Sequence, residues 1–223
     1  QQQAASDARR RLVYVGAISA ALLVAVLLLS VRTLRRANAR LEETQAELHR
    51  LARVDSLSGV ANRRCFEESL ASAISRSRRH KQSIALLVLD IDRFKTINDR
   101  HGHPAGDATI VEFSRRIRAC LRENDLLARL GGDEFAVLME NATLEGAQTV
   151  AGKILAAMQD AMPVGDATLQ VSTSIGLGWS AMPDDAETLM QLADEALYAA
   201  KDGGRATFRS RTDTPAIATD PAT

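Results

Sequence analysis

An α+β fold with a ferredoxin-like βαββαβ core is what this sequence predicts, on three observations. The run IALLVLDI, Ile84–Ile91, is short and rich in branched residues, as a buried strand is. In RLGGDEFAVLM the pair Gly131-Gly132 stands between the apolar runs LLARL and FAVLM, the pattern of a β-hairpin with a two-residue turn. Helical periodicity flanks the hairpin, and a last apolar strand follows, which completes the split β-α-β order.

Taken in chain order, a helix over Arg63–Arg79 leads into the strand Ile84–Ile91. The next helix, Asp107–Arg122, carries Ile110, Phe113, Ile117 and Leu121 on one face. After the hairpin, Leu144, Ala147, Ala151, Ile154, Leu155 and Met158 recur at helical spacing within Thr143–Met162. TLQVSTSIGLGW reads as a strand, and ETLMQLADEALYAAK as a final helix stopped by Gly203-Gly204. This domain spans 55–208, and the tail 209–223, built of Thr, Ala, Asp and Pro, is expected to be disordered.

Upstream, residues 1–11 form a short flank, and Leu12–Val31 is an uncharged apolar run, long enough for a membrane-spanning helix. A cleaved signal peptide is the competing reading, disfavoured by the length of the run and by Arg32, Arg35 and Arg36 after it. Arginines flank both ends, so charge alone leaves the orientation open. Over 32–54, Leu34, Leu41 and Leu48 repeat every seven residues with Ala37, Thr44 and Leu51 between them, which suggests a coiled-coil stalk joining two chains in parallel. A single amphipathic helix packed on its own domain is the alternative. The chain opens on Gln1 rather than Met, which reads as a fragment or processed product with something missing upstream.

Composition narrows the function. With 46% apolar and 25% charged residues this is a folded protein, and Lys plus Arg equal Asp plus Glu at 28 each. That balance argues against a broad basic surface for nucleic acid and leaves room for small basic pockets. Cys65 and Cys120 stand apart from each other and from any CxxC, so they read as reduced packing residues.

Strand order has a chemical consequence. If the second hairpin strand inserts beside Ile84–Ile91, the two run antiparallel, and Asp90 arrives next to Asp133 and Glu134. Three converging carboxylates repel unless a cation sits among them. Magnesium fits, being a hard ion that takes carboxylate oxygens and shares its shell with phosphates. The following stretch DIDRFKTINDRHGHPAGD supplies Lys95 for phosphate, Asn98 and Asp107 for a guanine edge, and glycines at 102 and 106 for tight turns and close approach. Lys201 and Arg205 add cations, which completes the outline of a nucleoside triphosphate site with two metals.

The segments DSLSGVANRR, DIDRFKTINDRHGHPAGD, RLGGDEF, VSTSIG and ADEALYAAKDGGR, in this order along the chain, resemble the successive signatures of the GGDEF-domain diguanylate cyclases. The resemblance implies a fold similar to nucleotidyl cyclase catalytic domains and the joining of two GTP into cyclic di-GMP with release of pyrophosphate. By position it implies Asp90, Asp133, Glu134 and the Ile91 carbonyl as ligands of magnesium or manganese, two ions per GTP half-site, with Asp133 the acid that helps deprotonate the attacking hydroxyl. It assigns Asn98 and Asp107 to guanine, and Lys95, Lys201 and Arg205 to phosphates. Gly131 and Gly132 would let the nucleotide lie on the hairpin backbone. Each domain holds one GTP, so a homodimer is implied, and because GTP is cytoplasmic the domain faces the cytoplasm from the inner membrane. Ser58, Val60 and Ala206 depart from the usual Thr, Leu and Asn, none at a metal or guanine position.

Arg122 and Asp125 form an RxxD ahead of the hairpin, about 17 Å from its tip at ~3.3 Å per residue. As a bare pair it reads as a solvated helix end; at this offset the resemblance implies an inhibitory site for the product. Asp92 is read either as part of the acidic cluster or as an acceptor for the turn that follows, and Arg129 as a phosphate contact or an ion pair. Two rivals stay open: a silent receptor for GTP or cyclic di-GMP, and a cyclase of altered product.

Overall fold

The computed structural model describes residues 27–36, 53–164 and 167–213. They belong to two compact units, Gln1–Ala52 and Arg53–Thr223. In the first, residues 27–36 are helical, with Leu27, Leu28, Leu29, Val31 and Leu34 exposed. Most of the expected span, 12–31, and of the expected stalk, 32–54, lies outside the described residues. Among those described, no helix is long and apolar enough to cross a membrane.

The second unit runs β1 (Ala61–Asn62), α1 (Arg63–His80), β2 (Ile84–Ile91), α2 (Phe94–His101), α3 (His103–Cys120), β3 (Leu126–Gly131), β4 (Glu134–Glu140), α4 (Leu144–Ala157), β5 (Met162–Val164), β6 (Ala167–Leu169), β7 (Thr173–Ser180), α5 (Ala186–Asp202) and β8 (Phe208–Asp213). Six strands form one sheet in the order β1-β3-β4-β2-β7-β8. The central four are antiparallel, with β4 inserted beside β2 as the strand order predicts. β1 and β8 extend the edges in parallel.

The unbroken apolar run of β2 follows from burial on both faces. Leu86 and Val88 join Phe66, Leu70 and Ile74 of α1 and Leu189 and Leu197 of α5 in one core layer. Leu87, Leu89 and Ile91 join Phe113 and Ile117 of α3 and Ile154 of α4 in the other. Phe113 and Phe135 meet there with ring centroids 5.1 Å apart, tilted by 54°. Side-chain caps from Asn62, Thr143 and Asp185 start α1, α4 and α5. Helix α5 lies so close on β7 that a Cβ on Gly176 would fall 2.0 Å from the Ala193 carbonyl oxygen and 2.2 Å from the Leu197 nitrogen.

Local expectations fail in three places. The stretch before Asp107 is not a turn-rich loop but two helices broken at Gly102, whose φ of +82° no helix accommodates. Pro104 belongs to the first turn of α3, where its missing N–H has no helical partner to lose. The expected strand TLQVSTSIGLGW is divided: Ala167–Leu169 pairs with Met162–Val164 in a separate hairpin, and only Thr173–Ser180 enters the main sheet. Order also continues past residue 209, because β8 pairs with β7 from Phe208 to Asp213. Its polar sequence, FRSRTD, suits an exposed edge strand that takes its order from the backbone of its neighbour.

Candidate active site

The carboxyl end of β2 meets the hairpin tip. Asp90 is registered against Glu134 of β4 on one side and Ser174 of β7 on the other, and the Ile91 N–H donates to the Asp133 carbonyl at 3.3 Å. The Asp90 side chain is 16% exposed and accepts a 2.7 Å hydrogen bond from the Lys201 ammonium of α5. Burial pushes its carboxyl above the usual carboxylate range; Lys201 opposes this, while the charges of Asp133 and Asp92 add to it.

The three acids do not converge as the strand order alone suggested. Among the described residues no three His, Cys, Asp or Glu side chains come together as a metal cluster. Glu134, half exposed, turns toward Arg63 of α1 at 3.9 Å, and its charge, after burial, is what raises the Asp194 carboxyl on α5. Like charges separate when each finds its own cation, Lys201 for Asp90 and Arg63 for Glu134. What remains near β2 is an all-oxygen donor set of Asp90, Asp133 and the Ile91 carbonyl. It fits a hard divalent ion, since magnesium takes one or two carboxylates and fills its shell with phosphate and water. A carboxyl made less acidic by burial and by neighbouring acids is also one that a cation stabilises.

The tip itself is held from outside the hairpin. Gly131 and Gly132 have φ of +152° and +51°, values that favour glycine, and a Cβ on either would meet nothing within 4 Å, so their outer surface is open to a ligand. Arg129 grips the tip from behind: its Nε and Nη2 donate to the Gly132 carbonyl at 3.0 and 2.7 Å, and its Nη1 to Asp55 at 3.1 Å. Asp55 also accepts from the Ser58 hydroxyl and N–H at 2.6 and 2.8 Å. Arg63 Nε adds a 2.7 Å bond to the Leu130 carbonyl. Of the two readings for Arg129, the ion pair is therefore the one the structure contains.

Asn98 and Asp107 come from different helices, and Gly106 brings them together. A Cβ at Gly106 would lie 1.9 Å from Asn98 Oδ1, so a larger residue there would displace the Asn98 amide from its place against α3. Asn98 is half-buried at that contact, while Asp107 on the next residue of α3 and Lys95 on α2 are exposed. Lys201 is engaged by Asp90 rather than free. Arg205, in the turn after α5, lines a cavity of about 780 Å³ with Arg93 and Arg100. Asp92 does not join the acidic cluster; its carboxylate accepts from the Ser172 and Ser174 hydroxyls, both at 2.7 Å, and from the Ala206 N–H at 3.1 Å.

At the other end of β3, Arg122, Asn124, Asp125, Glu140 and Asn141 line a second cavity of about 530 Å³. Asp125 is buried and its Oδ2 accepts from the Arg122 N–H at 2.9 Å, which ties the turn; the Arg122 side chain is exposed. Sequence reasoning gave no role to Arg63, Asp194, Arg93 or Arg100. All four lie within the quoted segments, Arg63 in DSLSGVANRR, Arg93 and Arg100 in DIDRFKTINDRHGHPAGD and Asp194 in ADEALYAAKDGGR, but what each faces belongs to elements far away in sequence.

A family model described as the diguanylate cyclase GGDEF domain matches residues 52–207. Diguanylate cyclase TpbB of Pseudomonas aeruginosa is 44% identical over 175 residues, covering 77% of this chain and 40% of that protein, so the chain spans under half the length of this curated relative. The solved structure of the TpbB GGDEF domain alone is 43% identical and superposes with a TM-score of 0.66, over 70% of this chain and 92% of that one. That of the coiled coil and GGDEF domain of DgcB from Caulobacter crescentus, in complex with c-di-GMP, is 28% identical with a TM-score of 0.65, over 82% of this chain and 98% of that one. The acids at the end of β2, the glycine-tipped hairpin beside them and the α2–α3 pair all fall within the residues 52–207 that this model matches: the chain belongs to the GGDEF-domain diguanylate cyclase family.

Proposed function

We propose that this protein is a diguanylate cyclase, condensing two GTP into cyclic di-GMP with release of pyrophosphate. The observation that carries the proposal is the meeting of Asp90 with the hairpin tip, fixed by strand register and by the Ile91 to Asp133 hydrogen bond, on a chain of this family. Asn98 and Asp107 offer an amide and a carboxylate to a guanine edge. Asp90 and Asp133, with the Ile91 carbonyl, would hold magnesium or manganese, two ions per half-site. When bound, the metal neutralises phosphate charge and acidifies the attacking 3′-hydroxyl. Asp133 takes that proton as the hydroxyl oxygen bonds to the α-phosphorus of the facing GTP and the bond to pyrophosphate breaks. Lys201 exchanges Asp90 for phosphate, and together with Lys95 and Arg205 stabilises the leaving group. Repeating the step in the other direction closes the ring.

Because each domain presents one hairpin and one guanine site, the reaction calls for a homodimer, with the heptads of 32–54 as its means of pairing. An anchor over 12–31 would place the domain on the cytoplasmic side of the inner membrane, where GTP is available. The cavity of Arg122 and Asp125 would take the product as an inhibitor, its exposed guanidinium suited to a guanine face and phosphate. The test is incubation of the full chain in detergent with magnesium and GTP, with and without ATP, and separation of products by chromatography. Cyclic di-GMP with pyrophosphate is expected; neither from a dimeric sample refutes the proposal, and a mixed dinucleotide redirects it.

A further inference from the structure

A third cavity, of about 730 Å³, lies at the β1 edge of the sheet, and its lining includes none of the residues assigned above to nucleotide, metal or product. It exists because that edge is unfinished. Strand β1 is two residues long and covers β3 only at Ala128 and Arg129, so among the described residues no strand lies beside Leu126 and Leu127 on that side. Ahead of β1 the chain turns away at Gly59, whose φ is +70°. The turn is closed by the Asp55 N–H on the Val60 carbonyl at 2.8 Å and the Gly59 N–H on the Asp55 carbonyl at 3.0 Å. What remains is a space bounded by the turn 58–61, the uncovered start of β3 and one face of α3. Its volume lies within the range of small-molecule sites.

The lining has an apolar part and a cationic part. Val60, Leu127 and Val111 supply the first, and Val111 is 44% exposed although α3 packs on the core. Arg115 and Arg118 are its only charged groups among the described residues. Arg115 is held by Glu112 at 2.7 Å. Arg118 makes no ion pair with a carboxylate among the described residues; its Nη1 donates to the Asp125 carbonyl at 3.3 Å. A guanidinium open at one end of an apolar trough matches a carboxylate carried on an apolar body, since the fork bonds the head and burial favours the rest. Seven helical residues separate Val111 from Arg118, about 10 Å, which sets the length of that body. The cavity wall is also tied to the hairpin. Ser58 donates to the Asp55 carboxylate at 2.6 and 2.8 Å, Arg129 donates to the same carboxylate at 3.1 Å, and Arg129 holds the Gly132 carbonyl. A ligand packed against 58–61 therefore restrains the far end of the clamp on the tip.

We propose that this cavity is a regulatory site for an amphiphilic organic carboxylate, its head on Arg118 and its apolar body over Val60 and Val111, and that occupancy restrains the hairpin tip through Ser58, Asp55 and Arg129. Binding here needs no nucleotide, so it is measured independently of the cyclase reading. Phenylbutyrate, its neutral amide and acetate are titrated into the full chain in detergent and followed by saturation-transfer NMR, for wild type, Arg118→Gln and Val111→Ser. Trp179 fluorescence is the folding control, and partition into micelles is common to all variants and cancels between them. Wild type should bind phenylbutyrate about tenfold more tightly than the amide, and acetate not measurably. Arg118→Gln should bring phenylbutyrate down to the level of the amide, and Val111→Ser should weaken both. Equal affinity of wild type for acid and amide, or affinities unchanged in both variants, overturns the site. At saturating phenylbutyrate, backbone amides over 129–134 should exchange with solvent several-fold more slowly. Exchange unchanged there while binding persists, or a slowing that survives in Arg129→Ala, overturns the link to the tip.

Discussion

Arg129→Ala tests whether the hairpin tip is held from behind. In the wild type the guanidinium donates twice to the Gly132 carbonyl, at 3.0 and 2.7 Å, and once to Asp55, at 3.1 Å, with side chains only 14% and 24% exposed. Hydrogen bonds to charged groups contribute about 1.5–3 kcal/mol each. The two bonds to Gly132 share one acceptor and count as one, and the half-sheltered ion pair adds about 1 kcal/mol more. Together the loss is about 3 kcal/mol, a drop of about 1–2 M in the urea midpoint at a typical slope. Trp179, the only tryptophan, is half-buried on β7 and donates to the Ala142 carbonyl at 2.8 Å, so its fluorescence follows unfolding of this unit. The effect also has a pH signature. Burial raises the Asp55 carboxyl, but the Ser58 bonds and Arg129 outweigh it and hold the group below its ordinary 3.8. A carboxyl lowered in the folded state contributes stability that is present above its unfolded value and lost as pH falls through the folded one. Since Arg129 supplies part of that lowering, the gap between wild type and variant should narrow as pH drops below about 4. A midpoint shift under about 0.3 M, or a gap that stays constant down that range, refutes the clamp.

Other outcomes follow from the same geometry. Asp133→Ala should reduce the formation of cyclic di-GMP by a factor of about 10² or more while the urea midpoint stays near that of the wild type, because removing a proton acceptor acts on the rate. Gly106→Ala forces a methyl to within 1.9 Å of Asn98 Oδ1. It should destabilise the unit by about 1–3 kcal/mol and raise KM for GTP as Asn98 moves, measured by denaturation and steady-state kinetics. Arg122→Ala should relieve inhibition by added cyclic di-GMP in a progress-curve assay and leave the initial rate intact; undiminished inhibition counts against the second cavity.

How much of this was legible in the sequence depends on where each cause resides. β2 and the hairpin were readable because their signals are local: an apolar run buried on both faces, and a glycine pair between two more. Register then carried Asp90 to the tip without further information. Gly102 and Gly106 were read alike as turn signals, yet only Gly102 breaks the chain between two helices, while Gly106 lies inside α3 against Asn98 of a different helix. Glu134 could not be placed from strand order, since its direction is set by Arg63 and α5, whose cations and acids divide the charge. β8 was invisible because an edge strand with alternating arginines resembles a solvated tail. The basic cavity is assembled from walls at Arg93, Gln170 and Arg205, and no window along the chain contains them together.

The tight seat of α5 on β7 has a metric consequence. Leu197 of the helix lies over Gly176 of the strand, and four residues farther along the helix Lys201 meets Asp90, which is paired with Ser174, two residues back along the strand. Four helical residues advance about 6 Å and two strand residues about 6.6 Å, so the two elements keep step like the scales of a vernier. The vertical distance is set by the absence of one methyl group, and the ammonium arrives at the carboxylate by counting rather than by searching. A slip of one residue in either scale would swing Lys201 off its mark and leave the buried Asp90 carboxylate without its cation.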